Sequence, residues 1–253
     1  MKRSDNDAPW RATDNHRLVM KTVPLIAAIS ALLGAVANPS FAAESEGVAL
    51  AIVYDTSGSM KETVLDTNRK PTPKYLIANR ALIAIAQQIH TFATNSSDAP
   101  KKIDAGLFIF SGSGAREAIP FGQFKAEAFQ DWARTYSNPS GNTPLGTALD
   151  TAAQTVLRSP LPRKHVLVIT DGQNTVGPQP ATVMPKIQQL AQGKGSAVSV
   201  HFVAFDVAAK IFDPVKRLGA TVMGAGNEAE LNTQLHYILQ RKILLEEEEP
   251  PKK

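Results

Sequence analysis

The 253-residue chain contains no cysteine. That removes disulfides, thiolate zinc sites, cysteine nucleophiles and a lipid-modified cysteine anchor from consideration. No block of basic residues is interleaved with aromatics, so nucleic acid is not an expected partner. The sequence has no internal repeat. Outside residues 22–37 it has no apolar run near the roughly 20 residues of a membrane-spanning helix. Net charge is also low. Five of the 27 basic and three of the 23 acidic residues fall within residues 1–42, so the remainder is only weakly basic.

Residues 22–37 (TVPLIAAISALLGAVA) follow Lys21 and lead through Asn38 and Pro39 to Ser40-Phe41-Ala42. This order of positive, apolar and small residues is that of a secretory signal peptide. Residues 1–42 are therefore expected to be a leader cleaved after Ala42, with Met20 as an alternative start because residues 1–19 are long and polar for a signal. The alternative is an anchor left uncleaved. Residues 43–246 are expected to form one domain, and residues 247–253 a charged, solvated tail. The expected location is periplasmic or secreted, with no membrane span after cleavage.

Within that domain apolar strands alternate with helical patterns. Val48–Tyr54 is apolar throughout, as in a strand buried on both faces of a parallel sheet. Residues 61–73 read as a polar loop. Ala78, Leu82, Ile85, Ala86, Ile89 and Phe92 recur at helical spacing. Further strands are predicted at Ile103–Phe110, Ala118–Phe121 (at an edge), His165–Thr170, Val198–Phe205 and Thr221–Met223. Helices are predicted over Lys125–Tyr136, from Thr143-Pro144 to about Leu157, within residues 180–192, near Val215, and after Asn227. Glu230, three residues past Asn227, makes a capping pair with it. The pattern predicts one α/β domain with a mostly parallel sheet and helices on both faces. In such sheets ligands bind beyond the carboxyl ends of the strands.

The first strand ends in Asp55-Thr56-Ser57-Gly58-Ser59-Met60. Oxygen-bearing side chains at alternate positions there suit a hard divalent cation, and Gly58 would let the backbone turn tightly. Two later segments fall at comparable places. Gly141-Asn142-Thr143-Pro144-Leu145-Gly146-Thr147 opens a helix, and Val168-Ile169-Thr170-Asp171-Gly172 ends a strand. Thr143 has a simpler reading as a helix cap, and Asp171-Gly172 as a turn. Residues 141–146 have the spacing of a phosphate-binding loop, but Thr147 stands where its lysine belongs. Gly224-Ala225-Gly226 reads as a turn. His201 reads as a satisfied core or edge histidine, and Trp132 as helix packing.

Together the three segments resemble the von Willebrand factor A domain and its metal-ion-dependent adhesion site, over about residues 46–245. The resemblance implies an α/β fold with one doubly wound, Rossmann-like, mostly parallel six-stranded sheet in which the first and fourth strands adjoin. It implies that Ser57 and Ser59 bind a cation directly and that Thr143 binds directly or through water. Asp55 and Asp171 would act through water or by orienting the hydroxyls. The implied ion is Mg²⁺, with Mn²⁺ or Ca²⁺ possible, and a partner's Glu or Asp carboxylate completes its shell. The expected function is a metal-dependent protein-binding module for adhesion or assembly, not an enzyme. The alternative, a metal-assisted hydrolase or phosphotransferase with Asp55 as nucleophile, lacks a second carboxylate two residues on and a positioned base. Lys61, Arg69, Lys70 and Lys74 would lie near the ion, where they read either as charges of a solvated loop or as charges that steer acidic partners.

Overall fold

The computed structural model describes residues 47–95 and 101–245. The expected leader, its cleavage point and the tail at 247–253 lie outside the described residues. The chain runs β1 (Gly47–Tyr54), β2 (Thr63–Leu65), β3 (Pro71–Pro73), α1 (Lys74–Thr94), β4 (Lys102–Ser111), β5 (Gly114–Gln123), α2 (Ala126–Thr135), α3 (Leu145–Val156), β6 (Arg163–Thr170), α4 (Pro180–Gly193), β7 (Ser199–Phe205), α5 (Asp213–Arg217), β8 (Thr221–Ala225) and α6 (Glu228–Ile238). A π-helical turn, Leu239–Leu244, extends α6. Among the described residues, no helix is long and apolar enough to cross a membrane.

Six strands form one sheet in the order β5-β4-β1-β6-β7-β8. All neighbours are parallel except β5, which runs antiparallel to β4 at the edge. β1 is central, and each of its residues is buried. Because successive side chains point to opposite faces, Val48, Leu50, Ile52 and Tyr54 enter one core with α1, α2 and α6. Ala49, Ala51 and Val53 enter the other, with α3, α4 and α5. The small side chains on that second face meet Ala148, Ala152 and Ala153 of α3, allowing helix and sheet to approach closely. On the first face the Tyr54 hydroxyl donates to Asn79 Oδ1 at 2.7 Å, and its ring meets Trp132 edge-on at 5.2 Å. Trp132 is thus the packing residue its sequence position predicts.

The six-stranded doubly wound sheet matches the expected fold, including the adjacency of β1 and β6. Residues 61–73 depart from expectation. They are not an irregular loop but carry the antiparallel hairpin β2–β3. Asp66 Oδ1 accepts the amides of Asn68 and Lys70, and Arg69 turns with φ of 60°. The hairpin was illegible because β3 reads Pro71-Thr72-Pro73, and proline is a poor strand signal. Helix α1 also starts earlier than its apolar spacing suggests, at Lys74.

Candidate metal site

Tyr54, the last residue of β1, lies opposite Ile169, and β6 runs one residue further, to Thr170. Asp55 and Asp171, which directly follow the two strands, therefore emerge at the same sheet end, at the switch in strand order. The Asp55 amide still bonds Ile169 O at 3.0 Å, continuing the ladder one residue past the strand. Asp55 is fully buried, and both of its carboxylate oxygens are bonded. Oδ1 accepts the Ser57 amide at 2.8 Å and Oδ2 accepts the Thr170 hydroxyl at 2.6 Å. Ser57 Oγ lies 3.0 Å from Ser59 Oγ, which donates to Asp171 Oδ1 at 2.8 Å. Four of the five expected residues thus form one continuous polar chain.

Thr143 joins them by backbone stitching. Its amide donates to Thr175 Oγ1 at 2.8 Å and its carbonyl accepts the Thr175 amide at 2.9 Å. The Gly146 amide donates to Asn174 Oδ1 at 3.0 Å, tying the start of α3 to the loop that carries Asp171. The loop before α3 is tied to the first loop by Ser140 N to Thr56 O at 2.8 Å and Gly58 N to Gly141 O at 3.2 Å. A Cβ on Gly172 would lie 3.9 Å from both Ser59 Oγ and Thr143 Oγ1. The two hydroxyls therefore face the space that this glycine leaves free. Thr143 is not the helix cap; Pro144 occupies that position and α3 begins at Leu145.

Two local expectations are corrected. Gly58 has no left-handed φ, and a Cβ there would lie 3.8 Å from Gly141 O, an ordinary contact. The tight path of this loop comes instead from the 3-10 turn Gly58–Lys61. Gly146 is the glycine that close approach requires, because a Cβ would fall 2.0 Å from Pro178 O. Lys74 is no surface charge: it is 2% exposed. Its Nζ contacts Glu62 Oε2 at 2.8 Å, Asp171 Oδ2 at 3.0 Å and Asp206 Oδ2 at 3.1 Å. Lys61, Arg69 and Lys70 are exposed.

Burial, then repulsion from Asp171, pushes the Asp55 carboxyl up to about 6, although hydrogen bonds from Ser57 and Thr170 oppose the rise. For Lys74 burial works against the charged form, but the bonds to Glu62, Asp171 and Asp206 outweigh it and hold the ammonium above its ordinary range. The same contact lowers Glu62. Among the described residues, no three His, Cys, Asp or Glu side chains gather to hold a metal by themselves. A cation here would have to draw on hydroxyl oxygens, and that is what the site offers: Ser57, Ser59 and Thr143, backed by two aspartates. This set fits a hard divalent ion.

Sequence reasoning missed Asp206 and Thr170 as members of this cluster and placed Lys74 near it only as a loop or steering charge. Asp206 had a readable signal, because it directly follows β7 and so lies at the same sheet end as Asp55 and Asp171. At the other end of β6 and in β7, His165 Nδ1 and His201 Nε2 are 3.3 Å apart and both residues are buried. His201 is a core residue, but its Nδ1 has no hydrogen-bond partner among the described residues.

The von Willebrand factor type A domain family model matches residues 49–233. No curated protein matches the chain significantly. Among solved structures, the PilB minor pilin from Streptococcus sanguinis superposes with a TM-score of 0.57 at 15% identity, over 77% of this chain and 60% of that one. The von Willebrand factor domain of the type V pili tip protein Mfa5 from Porphyromonas gingivalis gives 0.55 at 12% identity, over 78% of this chain and 95% of that one. The mussel byssus proximal thread matrix protein 1, with a zinc-occupied metal-ion-dependent adhesion site, gives 0.55 at 16%, over 78% and 48%. The chain thus spans about three fifths of the pilin and about half of the mussel protein.

Proposed function

We propose that this chain, which belongs to the von Willebrand factor type A domain family, is a protein-binding module for adhesion or assembly that grips an acidic side chain of its partner through a divalent cation. The observation that carries this reading is the hydroxyl cluster at the sheet switch point. Ser57 and Ser59 lie within hydrogen-bond distance of each other, Thr143 faces the space beside Ser59, and Asp55 and Asp171 stand behind. Mg²⁺ is the ion of choice, with Mn²⁺ or Ca²⁺ as alternates, because the donors are all oxygen. The zinc in the mussel protein supports a divalent ion in this kind of motif. When bound, the ion supplies an electrophilic contact for a carboxylate. Neutral hydroxyls leave it short of negative charge, so a Glu or Asp of the partner is a natural ligand. Residues 43–246 form the binding domain in this reading.

Asp55 supports binding over hydrolysis. A nucleophile needs a free oxygen within reach of substrate, whereas both Asp55 oxygens are engaged by Ser57 and Thr170 in a fully buried position. A groove of about 540 Å³ beside the Asp171 loop, lined by Gln173, Asn174, Pro180, Ile211, Phe212 and Pro214, offers an incoming chain an apolar flank. The leader-like residues 1–42, and the pilus proteins among the structural neighbours, support a periplasmic or secreted setting.

The test is metal-dependent stabilisation. Mg²⁺ or Mn²⁺ at a hundredfold excess over Kd should stabilise the protein by about 2.7 kcal/mol. EDTA should reverse the effect, and the Ser57→Ala, Ser59→Ala double variant should lose it while remaining folded. A titration to millimolar metal that shows no heat and no stabilisation would defeat the proposal.

A further inference from the structure

Lys74 is the first residue of α1 and nearly inaccessible. A lysine is costly to bury unless it is paired, and this one has three carboxylates within 3.1 Å. Only one of the three, Asp171, belongs to the proposed cation site. The two Asp171 oxygens are divided between different tasks. Oδ1 accepts the Ser59 hydroxyl and Oδ2 faces the lysine ammonium. Glu62 and Asp206 anchor Lys74 from the other side. Its positive charge is thus fixed one carboxylate away from the hydroxyls that face the open space.

Building on the cation-binding reading above, we propose that Lys74 is a fixed counter-charge of the metal site. It claims the second oxygen of Asp171 and so directs that carboxylate toward Ser59 rather than into a two-oxygen grip on the ion. It also offsets part of the negative charge that would otherwise trap a divalent cation. The bound ion is held more weakly and retains more of its appetite for an incoming carboxylate. Lys74 is a positioning residue in this arrangement, and its contact with the ion runs through Asp171.

Mn²⁺ alone is the probe, measured by calorimetry and by electron paramagnetic resonance on the wild type, Lys74→Gln and Glu62→Gln. Lys74→Gln keeps a donor for Asp171 but removes the charge. The Kd for Mn²⁺ should fall about tenfold, the order expected when a unit charge is removed some ångströms from a divalent ion under water-like screening. Glu62 is exposed and meets the site through Lys74. Glu62→Gln leaves the lysine less neutralised and should weaken Mn²⁺ binding severalfold at low salt, an effect that fades as salt rises. An unchanged or weaker affinity in Lys74→Gln overturns the inference. If that variant does not fold, an unchanged affinity in Glu62→Gln does so. A wild type that binds Mn²⁺ while the variants match it sinks only the role of Lys74; a wild type that binds none removes the site itself.

Discussion

Taking the metal-free protein from about pH 7.5 to about pH 4.5 should draw stability out of Asp55. Its carboxyl is raised from 3.8 to about 6, chiefly by burial and then by Asp171. Between those values the folded state holds a proton that the unfolded chain has lost. The stability this group contributes is complete below pH 3.8 and is lost as pH rises through about 6. The full interval is worth about 3 kcal/mol, of which about 2 kcal/mol is recovered by about pH 4.5. The buried histidines act in the opposite sense. His165 and His201 are lowered to about 3 and about 4, in both cases mainly by burial, so the folded state stays neutral while the unfolded chain takes up protons. Their stability is lost as pH falls below 6.5. The informative quantity is therefore the difference between the wild type and Asp55→Asn, followed by urea unfolding in EDTA across that range. The wild type should gain about 2 kcal/mol on the variant toward low pH, on top of any constant offset from lost hydrogen bonds. Two pH profiles separated only by a constant offset would refute the reasoning. With metal present, Mn²⁺ affinity should drop as pH falls through about 6, because the ion must then displace the Asp55 proton.

Gly146→Ala would push a Cβ to 2.0 Å from Pro178 O, a backbone atom that cannot swing aside. We expect a loss of about 2–3 kcal/mol by urea denaturation, with weaker Mn²⁺ binding as the Thr143 loop shifts; a loss under about 0.5 kcal/mol would contradict the packing. Glu228→Gln should weaken the clamp in which Glu228 binds Arg80 at 2.7 and 3.0 Å and accepts the Thr67 amide at 3.0 Å. Because Arg80 is half-exposed, about 1 kcal/mol is expected. Faster hydrogen exchange confined to the Thr67 amide and its hairpin is the local signature, and unchanged exchange there would count against the clamp.

The fold was legible wherever one signal dominated. β1 carries an unbroken apolar run, so its burial on both faces was readable; its pairing with β6 followed from the family resemblance. Asp55, Ser57 and Ser59 alternate just past an apolar strand, and that placement put them together at the sheet end, where the structure joins them in one polar chain with Asp171. Thr143 was ambiguous from sequence; its backbone is held by Thr175, and the nearby Gly146 amide by Asn174, partners about thirty residues away that no local pattern announces. Lys74 was misjudged for the same reason. As one of four basic residues in a polar stretch it resembled its exposed neighbours, and only the convergence of Glu62, Asp171 and Asp206 distinguishes it. The hairpin escaped notice because two prolines stand in a three-residue strand.

That hairpin is pinched shut at its base, where the Lys74 amide meets Glu62 O at 2.8 Å. The latch joins Glu62 directly to Lys74, so the residues between them form a closed excursion from the rest of the chain. The excursion between the two residues is therefore a natural cassette. New sequences of different length or charge could be grafted between the latch residues with both strand ends still joined.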